Sequence, residues 1–423
     1  MASAASLSEP QVLAHAKRRL FPDDDASDAY AVVDTQFAMD EWLPDRPVPA
    51  EVREALAPFN HVRLGSGYPD LVGVRHLDAD FLAVERLGDR PPLVAVEAKG
   101  YTDRDAVDVE RGVLQAYDRL HDANAAFVAA PAPAVSQSVR TLARELNVGV
   151  LAVDADGAIE PLEAPRVVGN HTSDDATAIR FQATAQGVAG KSFGLNHPKN
   201  YLGYPLALAH PDDTGTVLAD RVVGAVDSAR TGAAFLGLVE ERPDRVALTS
   251  LGEEVVRFAL DRYDTVDAAL DEFEAWQGSR KRFCDLAPEW GLVTRRVVWA
   301  YPATQLIVEE LQTMHGDGIP SPSLVDLVEW LHAQHPTFTV ELFVRGTDDV
   351  RSRVLDRDGD LRPDELEDGS VFHSPTVFQL KAMLYHAGVL TERGAEPHRL
   401  DPRADTWRLR HALDSGRCAR RRP

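Results

Sequence analysis

The strongest constraint on the fold is a series of short apolar runs between residues 55 and 160, interrupted by amphipathic stretches. Four runs rich in Val and Leu come first, separated by Gly, Pro and Asp: HVRL, DLVGV, FLAVERL and LVAVEAK. DAVDVERGVLQAYDRLHDA then has helical spacing, with the residues Val109, Val113, Ala116, Tyr117 and Leu120 predicted on one face. AAFVAAP, a second helical stretch and VGVLAVDADG follow. This order predicts a mixed sheet flanked by helices.

The chain has 423 residues, enough for several domains, and its pattern changes from strands to helices near residue 200. A helix, the run LGLVEE, a turn at RPDR, the run VALT and another helix follow, an order typical of a winged helix-turn-helix. A similar pattern recurs near the C-terminus. We therefore expect a mixed-sheet domain at 1–165, a linker or docking segment at 166–199, a winged helix at 200–265, a helical connector at 266–320, a second winged-helix-like domain at 321–412 and a basic tail at 413–423.

The charge composition is strongly acidic and poor in lysine. Acidic residues number 67 against 45 basic residues, which gives a net charge of −22, and only six of the basic residues are Lys. In molar salt, a charged surface keeps a protein soluble while screening shortens the reach of its self-repulsion. The composition therefore resembles that of proteins from extremely halophilic archaea; an acidic surface encoded by a high-GC genome is the alternative. A net negative charge repels the phosphate backbone of DNA, so binding to DNA would require local Arg patches.

Several classes of protein do not fit the sequence. Cys284 and Cys418 are far apart and match no zinc-ligand spacing, which argues against a zinc ribbon or a disulfide framework. The N-terminal residues contain no apolar signal-peptide core, and no apolar run reaches the length of a membrane span. We therefore expect a cytoplasmic protein that does not bind membranes.

Three charged residues at strand ends form the candidate site. Alternation along a strand puts Glu97 and Lys99 on one face, about 7 Å apart, and a hairpin-like pairing could bring Asp70 beside Glu97. Mg²⁺ prefers one or two carboxylates, with waters and phosphate oxygens completing its shell, and phosphodiester hydrolysis benefits from a nearby cation. The Ala98 carbonyl is a further candidate ligand. Asp80, which opens DFLAVE, is the alternative to Asp70.

YPD at Tyr68–Asp70, followed by EAK at Glu97–Lys99, resembles the motif of the PD-(D/E)xK nuclease superfamily. This superfamily includes restriction endonucleases, Holliday junction resolvases and RecB-type exonucleases. The resemblance covers roughly residues 55 to 160, where LVAVEAKG ends in glycine and is followed by helix, strand, helix and strand patterns. It implies a restriction-endonuclease-like α/β fold, with Asp70 and Glu97 as metal ligands and Lys99 as a catalytic residue.

Three further positions enter through the same resemblance. LQAYDRL resembles the Gln-and-Tyr motif that follows the catalytic strand in many members, which implies that Gln115 supports the site or contacts the substrate backbone. Tyr117 stands two residues after this Gln rather than four as in the RecB-type pattern, so its part in the site is left open. Many members also carry an acidic residue on the first helix, and Glu9 is the candidate for it here.

The resemblance implies an enzyme that hydrolyses phosphodiester bonds in DNA with Mg²⁺ or Mn²⁺, as an endonuclease or an exonuclease. This chemistry fits three biological settings: restriction and defence, DNA repair, and mobile-element biology. DNA would be the main partner, with a protein partner or a homodimer in addition. The alternatives are a non-catalytic winged-helix DNA-binding regulator and a protein-interaction component of a defence or repair complex.

Overall fold

The computed structural model describes residues 7–22, 29–43, 46–83, 91–102, 106–168, 179, 195–241, 245–276, 281–356 and 358–413. In chain order, its N-terminal part contains α1 (Glu9–Leu20), β1 (Tyr30–Val33), β2 (Glu41–Leu43), β3 (Arg46–Pro47), α2 (Ala50–Leu56), β4 (Leu71–Val74), β5 (Leu93–Ala98), α3 (Val109–Arg119), β6 (Ala125–Pro131), α4 (Gln137–Glu145), β7 (Gly149–Val153) and β8 (Ile159–Glu163).

Six of these strands form one mixed sheet in the order β1-β4-β5-β6-β7-β8. The strands β5, β6 and β7 are parallel, whereas β1, β4 and β8 join the sheet by antiparallel pairing. The predicted mixed sheet with flanking helices is therefore confirmed. The run FLAVERL differs from its prediction, because Ala79–Phe81 is a short 3₁₀ helix and residues 84–90 lie outside the described part.

Helices cover both faces of this sheet. One core contains apolar residues of α1 and α2 with Val94, Val96 and Phe127 of the sheet. The other core contains apolar residues of α3 and α4 with Ala95 and Val128. Strand alternation explains this division, because neighbouring residues of β5 point to opposite faces. Glu97 shares the parity of Ala95, so its side chain lies on the face that α3 covers.

The N-termini of two helices bring polar residues close to the sheet. At the start of α1, the Gln11 side chain accepts a hydrogen bond from the Ser8 N–H at 2.9 Å, as in a capping box. Asp108 caps α3 by accepting from the Arg111 N–H at 3.0 Å. The α1 cap places Glu9 in the first helical turn, where a carboxylate is stabilised by the helix dipole.

The chain divides into two compact units, whereas the sequence predicted more segments; the predicted linker is divided between the units, and the predicted segment 321–412 is interrupted. The first unit contains residues 1–187 and 332–365, and the second contains 188–331 and 366–423. Residues 332–365 therefore belong to the unit of the sheet rather than to the rest of 321–412. Their helices, α14 (Pro336–Phe343) and α15 (Asp348–Val354), follow α13 (Leu324–Gln334). Hydrogen bonds from Tyr30 and Asn60 to the buried Glu341 carboxylate, described below, join this segment to the sheet.

The second unit is helical. It contains α5 (Pro198–Ala209), α6 (Thr214–Arg221), α7 (Val226–Phe235), β9 (Val239–Glu241), β10 (Val246–Leu248), α8 (Ser250–Tyr263), α9 (Val266–Ala275), α10 (Phe283–Leu286), α11 (Pro288–Trp299), α12 (Pro302–Gly316) and α16 (Ser374–His386). The helix, β-hairpin and helix at 226–263 follow the predicted order, and their assignment as a winged helix stays a prediction. In the second predicted unit of this kind, the run TWRL makes isolated bridges, Ser323 with Thr406 and Leu390 with Leu409, rather than a strand.

Two predicted segments lie largely outside the described residues. Of the linker at 166–199, the structure describes only 166–168, 179 and 195–199, and of the basic tail it describes only Leu413. Cys418 belongs to the same undescribed end. Among the helices of the described ranges, none combines the length and the apolar character needed to cross a bilayer.

Candidate active site

The pairing of β4 with β5 brings the two predicted carboxylates side by side. Leu71 of β4 is opposite Val96 of β5 in an antiparallel register. Continuing that register by one residue places Asp70 opposite Glu97 on the same face of the sheet. Both side chains are buried, with Asp70 at 4% and Glu97 at 1% exposure. Two carboxylates thus share an almost dry position at the end of β5.

Asp70 is held by two hydrogen bonds. Its Oδ2 accepts from the Ala98 N–H at 2.7 Å, and its Oδ1 accepts from Gln36 Nε2 at 3.2 Å. Ala98, predicted to offer its carbonyl oxygen, thus has its observed contact with Asp70 through its N–H. Gln36 lies on a short 3₁₀ helix, Thr35–Ala38, and was not predicted. It follows a sequence stretch without periodicity, so no local pattern marks it.

Arg119 is the main member of the site that the sequence did not predict. It is 5% exposed, and its Nε donates to Glu97 Oε1 at 2.8 Å. Its Nη1 also donates to the carbonyl oxygen of Leu64 at 3.1 Å. The signal in the sequence was its spacing on α3, since Gly112, Gln115 and Arg119 recur at three- and four-residue intervals and so share one helix face.

Lys99 places its ammonium between the carboxylates. Its Nζ is 4.0 Å from Asp70 Oδ2 and 3.9 Å from Glu97 Oε2, and its side chain is 14% exposed. Space for this side chain comes from Gly112 of α3, where an added Cβ would lie 2.8 Å from Lys99 Cγ. Glycine inside a helix costs about 1 kcal/mol relative to alanine, so this position is best explained by the room that Lys99 requires.

Glu9, the open candidate on the first helix, belongs to the same cluster. Its carboxylate accepts a hydrogen bond from the Gly100 N–H and interacts with Lys99 and Glu97. The first turn of α1 packs so closely on Gly100 that a Cβ there would overlap the Glu9 backbone nitrogen. The glycine that ends LVAVEAKG therefore permits the approach that brings this third carboxylate to the site.

Of the remaining predicted residues, one lies on the helix face of Arg119, and the other two lie away from the cluster. Gln115 lies on the face of α3 shared with Arg119, and its Oε1 is buried without a hydrogen-bond partner among the described residues. Tyr117, predicted on the apolar face of α3, is instead 50% exposed, whereas Val113 and Ala116 are buried. Asp80 is exposed on the 3₁₀ helix Ala79–Phe81 and makes no described contact with the cluster. The geometry thus favours Asp70 over Asp80.

Burial and like charge raise the pKa values of the carboxylic acids. Desolvation raises the pKa of Asp70 well above its usual range, and the neighbouring Glu97 carboxylate raises it further. Burial likewise raises the pKa of Glu97, against the lowering effect of Arg119, and it also raises the pKa of Glu9. Lys99 acts on all three carboxyl groups and lowers their pKa values, which opposes the effect of burial.

The chemistry of these donors fits Mg²⁺ or Mn²⁺ better than a metal held wholly by side chains. No group of three His, Cys, Asp or Glu side chains in the described ranges is arranged to bind a metal ion. Magnesium, however, commonly uses one or two carboxylates and retains waters. Asp70 and Glu97 supply such a pair, and both are buried side by side at the end of β5. The residues therefore fit the predicted metal.

The chain matches no protein-family model, no curated protein and no solved structure.

Proposed function

We propose that the protein is a metal-dependent nuclease that hydrolyses phosphodiester bonds in DNA. One observation carries the proposal: the Lys99 ammonium lies 4.0 Å from the Asp70 carboxylate and 3.9 Å from the Glu97 carboxylate at the end of one strand. Two buried carboxylates and one lysine in this arrangement match what metal-assisted phosphodiester hydrolysis requires. The PD-(D/E)xK resemblance of YPD and EAK supports the same reading.

Each residue then has a definite part. Asp70 and Glu97 would hold Mg²⁺ or Mn²⁺, and the metal, when bound, polarises a water and stabilises charge on the phosphate. Lys99 would orient the attacking water and offset the charge that develops on the phosphate oxygens. Arg119 fixes the Glu97 carboxylate through its 2.8 Å contact, leaving Oε2 toward Lys99. Gln115 would hydrogen-bond a water or the substrate backbone.

The remaining parts of the proposal concern the cellular setting of the protein and how it binds DNA. The helix, hairpin and helix at 226–263 would act as a winged helix that contacts DNA or a partner protein. The protein would act in the cytoplasm, in restriction and defence, repair or mobile-element biology. Because the net charge is −22, binding to DNA depends on local cationic groups and on the salt concentration.

A cleavage assay with matched variants tests the proposal. Labelled single-stranded and duplex DNA would be incubated in high KCl with Mg²⁺, Mn²⁺ or EDTA. We expect cleavage that requires the metal and is lost in Glu97→Gln and in Lys99→Met, two changes that remove a charge while nearly keeping the side-chain shape. Asp80→Asn is the control, since it removes an exposed carboxylate of the same unit and should cut like the wild type.

Two results would replace the nuclease with the alternatives. Binding to DNA without cleavage of any substrate favours the winged-helix regulator. Absence of both binding and cleavage favours a protein-interaction component. If instead Asp80→Asn abolished cleavage and Asp70→Asn did not, the nuclease would stand and its assigned metal ligand would be wrong.

A further inference from the structure

An exposed aromatic ring lies beside the candidate site. Tyr68 is 43% exposed and is followed directly by Pro69 and Asp70. Its ring stacks on the imidazole of His61, with 3.6 Å between ring centroids and 22° between the planes. Two residues of extended chain span at most about 7 Å, so the Tyr68 backbone lies within about that distance of the Asp70 backbone. This stack is not used by the proposed hydrolysis.

The imidazole beneath the tyrosine is held in place. Asp34, which is 3% exposed, contacts His61 Nδ1 through its Oδ2 at 2.8 Å. The Asp34 N–H donates to the Asp70 carbonyl oxygen at 3.0 Å, which ties this support to the site. Gly359 packs so closely that an added Cβ would lie 2.8 Å from His61 Cβ. His61 is thus fixed at its ring edge and at its Cβ, so the surface it offers to Tyr68 is preorganised.

The tyrosine backbone is anchored to the candidate site as well. Arg119 Nη2 donates to the Tyr68 carbonyl oxygen at 3.4 Å, while Nε of the same guanidinium donates to Glu97. One buried side chain therefore fixes both the carboxylate and the residue that carries the exposed ring. Such rigid attachment is expected for a ring that positions a ligand rather than for an incidental surface aromatic.

A cationic group accompanies the stack. Arg63, two residues after His61, is exposed and makes no hydrogen bond or ion pair within the part of the chain that the structure describes. Among the described residues no carboxylate pairs with this guanidinium, so it is an available contact for an anion. Proteins bind single-stranded nucleic acids by combining aromatic faces for the bases with cationic groups for the backbone.

We propose that the Tyr68–His61 stack is a platform for an unpaired nucleobase and that Arg63 contacts a phosphate of the same strand. This inference rests on the proposed nuclease function and deepens it by assigning the substrate class. A base inside a duplex has both faces covered by its neighbours, so it cannot stack on Tyr68 without leaving the helix. The substrate is therefore a single strand or an unpaired strand end.

Binding measurements in EDTA test the platform separately from cleavage. Fluorescence anisotropy would compare a labelled oligothymidine with the same strand annealed to oligodeoxyadenosine at one fixed KCl concentration. We expect the wild type to bind the single strand more tightly, and Tyr68→Ala to weaken that binding about tenfold. Tyr68→Phe should retain the affinity because the ring remains. Tyr117→Ala, which removes an equally exposed tyrosine of the same unit, should leave the affinity unchanged.

The outcomes separate this inference from the proposed function. Wild-type affinity in Tyr68→Ala, with its circular dichroism spectrum intact, would overturn the platform, as would duplex binding at least as tight as single-strand binding. Metal-dependent cleavage confined to duplex DNA would overturn the platform and leave the nuclease standing. Single-strand binding that depends on Tyr68, without cleavage of any substrate, would support the platform and overturn the nuclease.

Discussion

Glu341 of α14 offers the sharpest test of how residues 332–365 join the sheet unit. Its carboxylate and the Arg351 guanidinium form an ion pair at 3.0 Å, and both side chains are 0% exposed. Asn60 Nδ2 donates to Glu341 Oε1 at 2.6 Å, and the Tyr30 hydroxyl of the edge strand β1 donates to Oε2. One buried carboxylate thus joins the inserted helices to the edge of the sheet.

Glu341→Leu removes the acceptor and leaves the cation in place. Breaking a buried ion pair from one side costs about 3–5 kcal/mol, because the remaining charge is buried without compensation. Arg351 keeps its hydrogen bonds to the carbonyl oxygens of Arg345 and Val344, which limits the loss. The hydrogen-bond donors of Asn60 and Tyr30 lose their acceptor, which adds to the loss of stability. We expect the free energy of unfolding of this unit to fall by about 4 kcal/mol.

Replacing both partners should restore most of that stability. In Glu341→Leu/Arg351→Met no charge remains buried, and such apolar replacements are commonly neutral or stabilising. Urea denaturation followed by circular dichroism would measure the change; with a slope of about 2 kcal/mol per molar, the single variant lowers the midpoint by about 2 M. Hydrogen exchange of peptides from β1 and β4 would assign the loss to the sheet unit.

Two results would refute this reasoning. A single variant that loses less than about 1 kcal/mol would show that the pair contributes no more than a surface ion pair does. A double variant as unstable as the single would show that the loss comes from packing rather than from an uncompensated charge.

Three further predictions concern the site and the helical unit. Gly112→Ala adds a Cβ 2.8 Å from Lys99 Cγ, so we expect the cleavage rate to fall about tenfold or more, even though alanine favours the helix more than glycine does. A normal cleavage rate in this variant would contradict the argument that Gly112 makes room for Lys99. Arg119→Met leaves Glu97 buried without its 2.8 Å partner and should cost about 3 kcal/mol in urea denaturation, which Glu97→Gln in the same chain should partly restore. Burial lowers the pKa of His197 to about 4, against about 6.5 in the unfolded chain, so the unfolded chain takes up this proton at a higher pH than the folded protein. The contribution of this group to the stability of the folded protein is therefore fully present above pH 6.5 and is lost as the pH falls. We expect a loss of about 2 kcal/mol from this group between pH 7 and 5, and His197→Asn, which keeps a cap acceptor, should show a correspondingly flatter pH dependence in the same denaturation series.

The sequence predicted the mixed sheet because its strands differ clearly from its helices in periodicity. It also predicted that Glu97 and Lys99 share a face, since strand alternation depends on local geometry alone. The position of Asp70 beside Glu97 required a pairing register, which the motif suggested and which the antiparallel register of β4 and β5 supplies. Strand alternation and the pairing of β4 with β5 are therefore sufficient to explain why Asp70, Glu97 and Lys99 lie together.

The residues that the sequence did not predict are brought in by long-range packing. Arg119 reaches Glu97 across 22 residues, and Tyr30 reaches Glu341 across 311 residues. No periodic pattern connects positions so far apart, because their proximity depends on how whole elements pack. For the same reason, the sequence could not reveal that residues 332–365 join the first unit.

The rarity of lysine does not by itself mark a catalytic residue. Lys99 is one of six lysines in a chain that otherwise uses arginine for its basic residues. Yet Lys17 is 7% exposed and donates to backbone carbonyl oxygens of Leu56 and Ala55, and Lys381 is 1% exposed and pairs with Asp405 at 2.7 Å. Lysine is thus retained where a compact ammonium fits a buried position, and structural roles account for two of the six.

The candidate site therefore differs from other buried ion pairs of this chain because its charged groups are incompletely paired. Glu341 with Arg351 and Lys381 with Asp405 each join one carboxylate to one cation at hydrogen-bond distance. The cluster around Asp70 instead gathers the carboxyl groups of Asp70, Glu97 and Glu9 around Lys99, whose ammonium lies 3.9–4.0 Å from the first two, beyond hydrogen-bond distance. A purely structural network gains stability from full satisfaction, and under the proposed nuclease function a bound metal ion with its waters would complete this cluster.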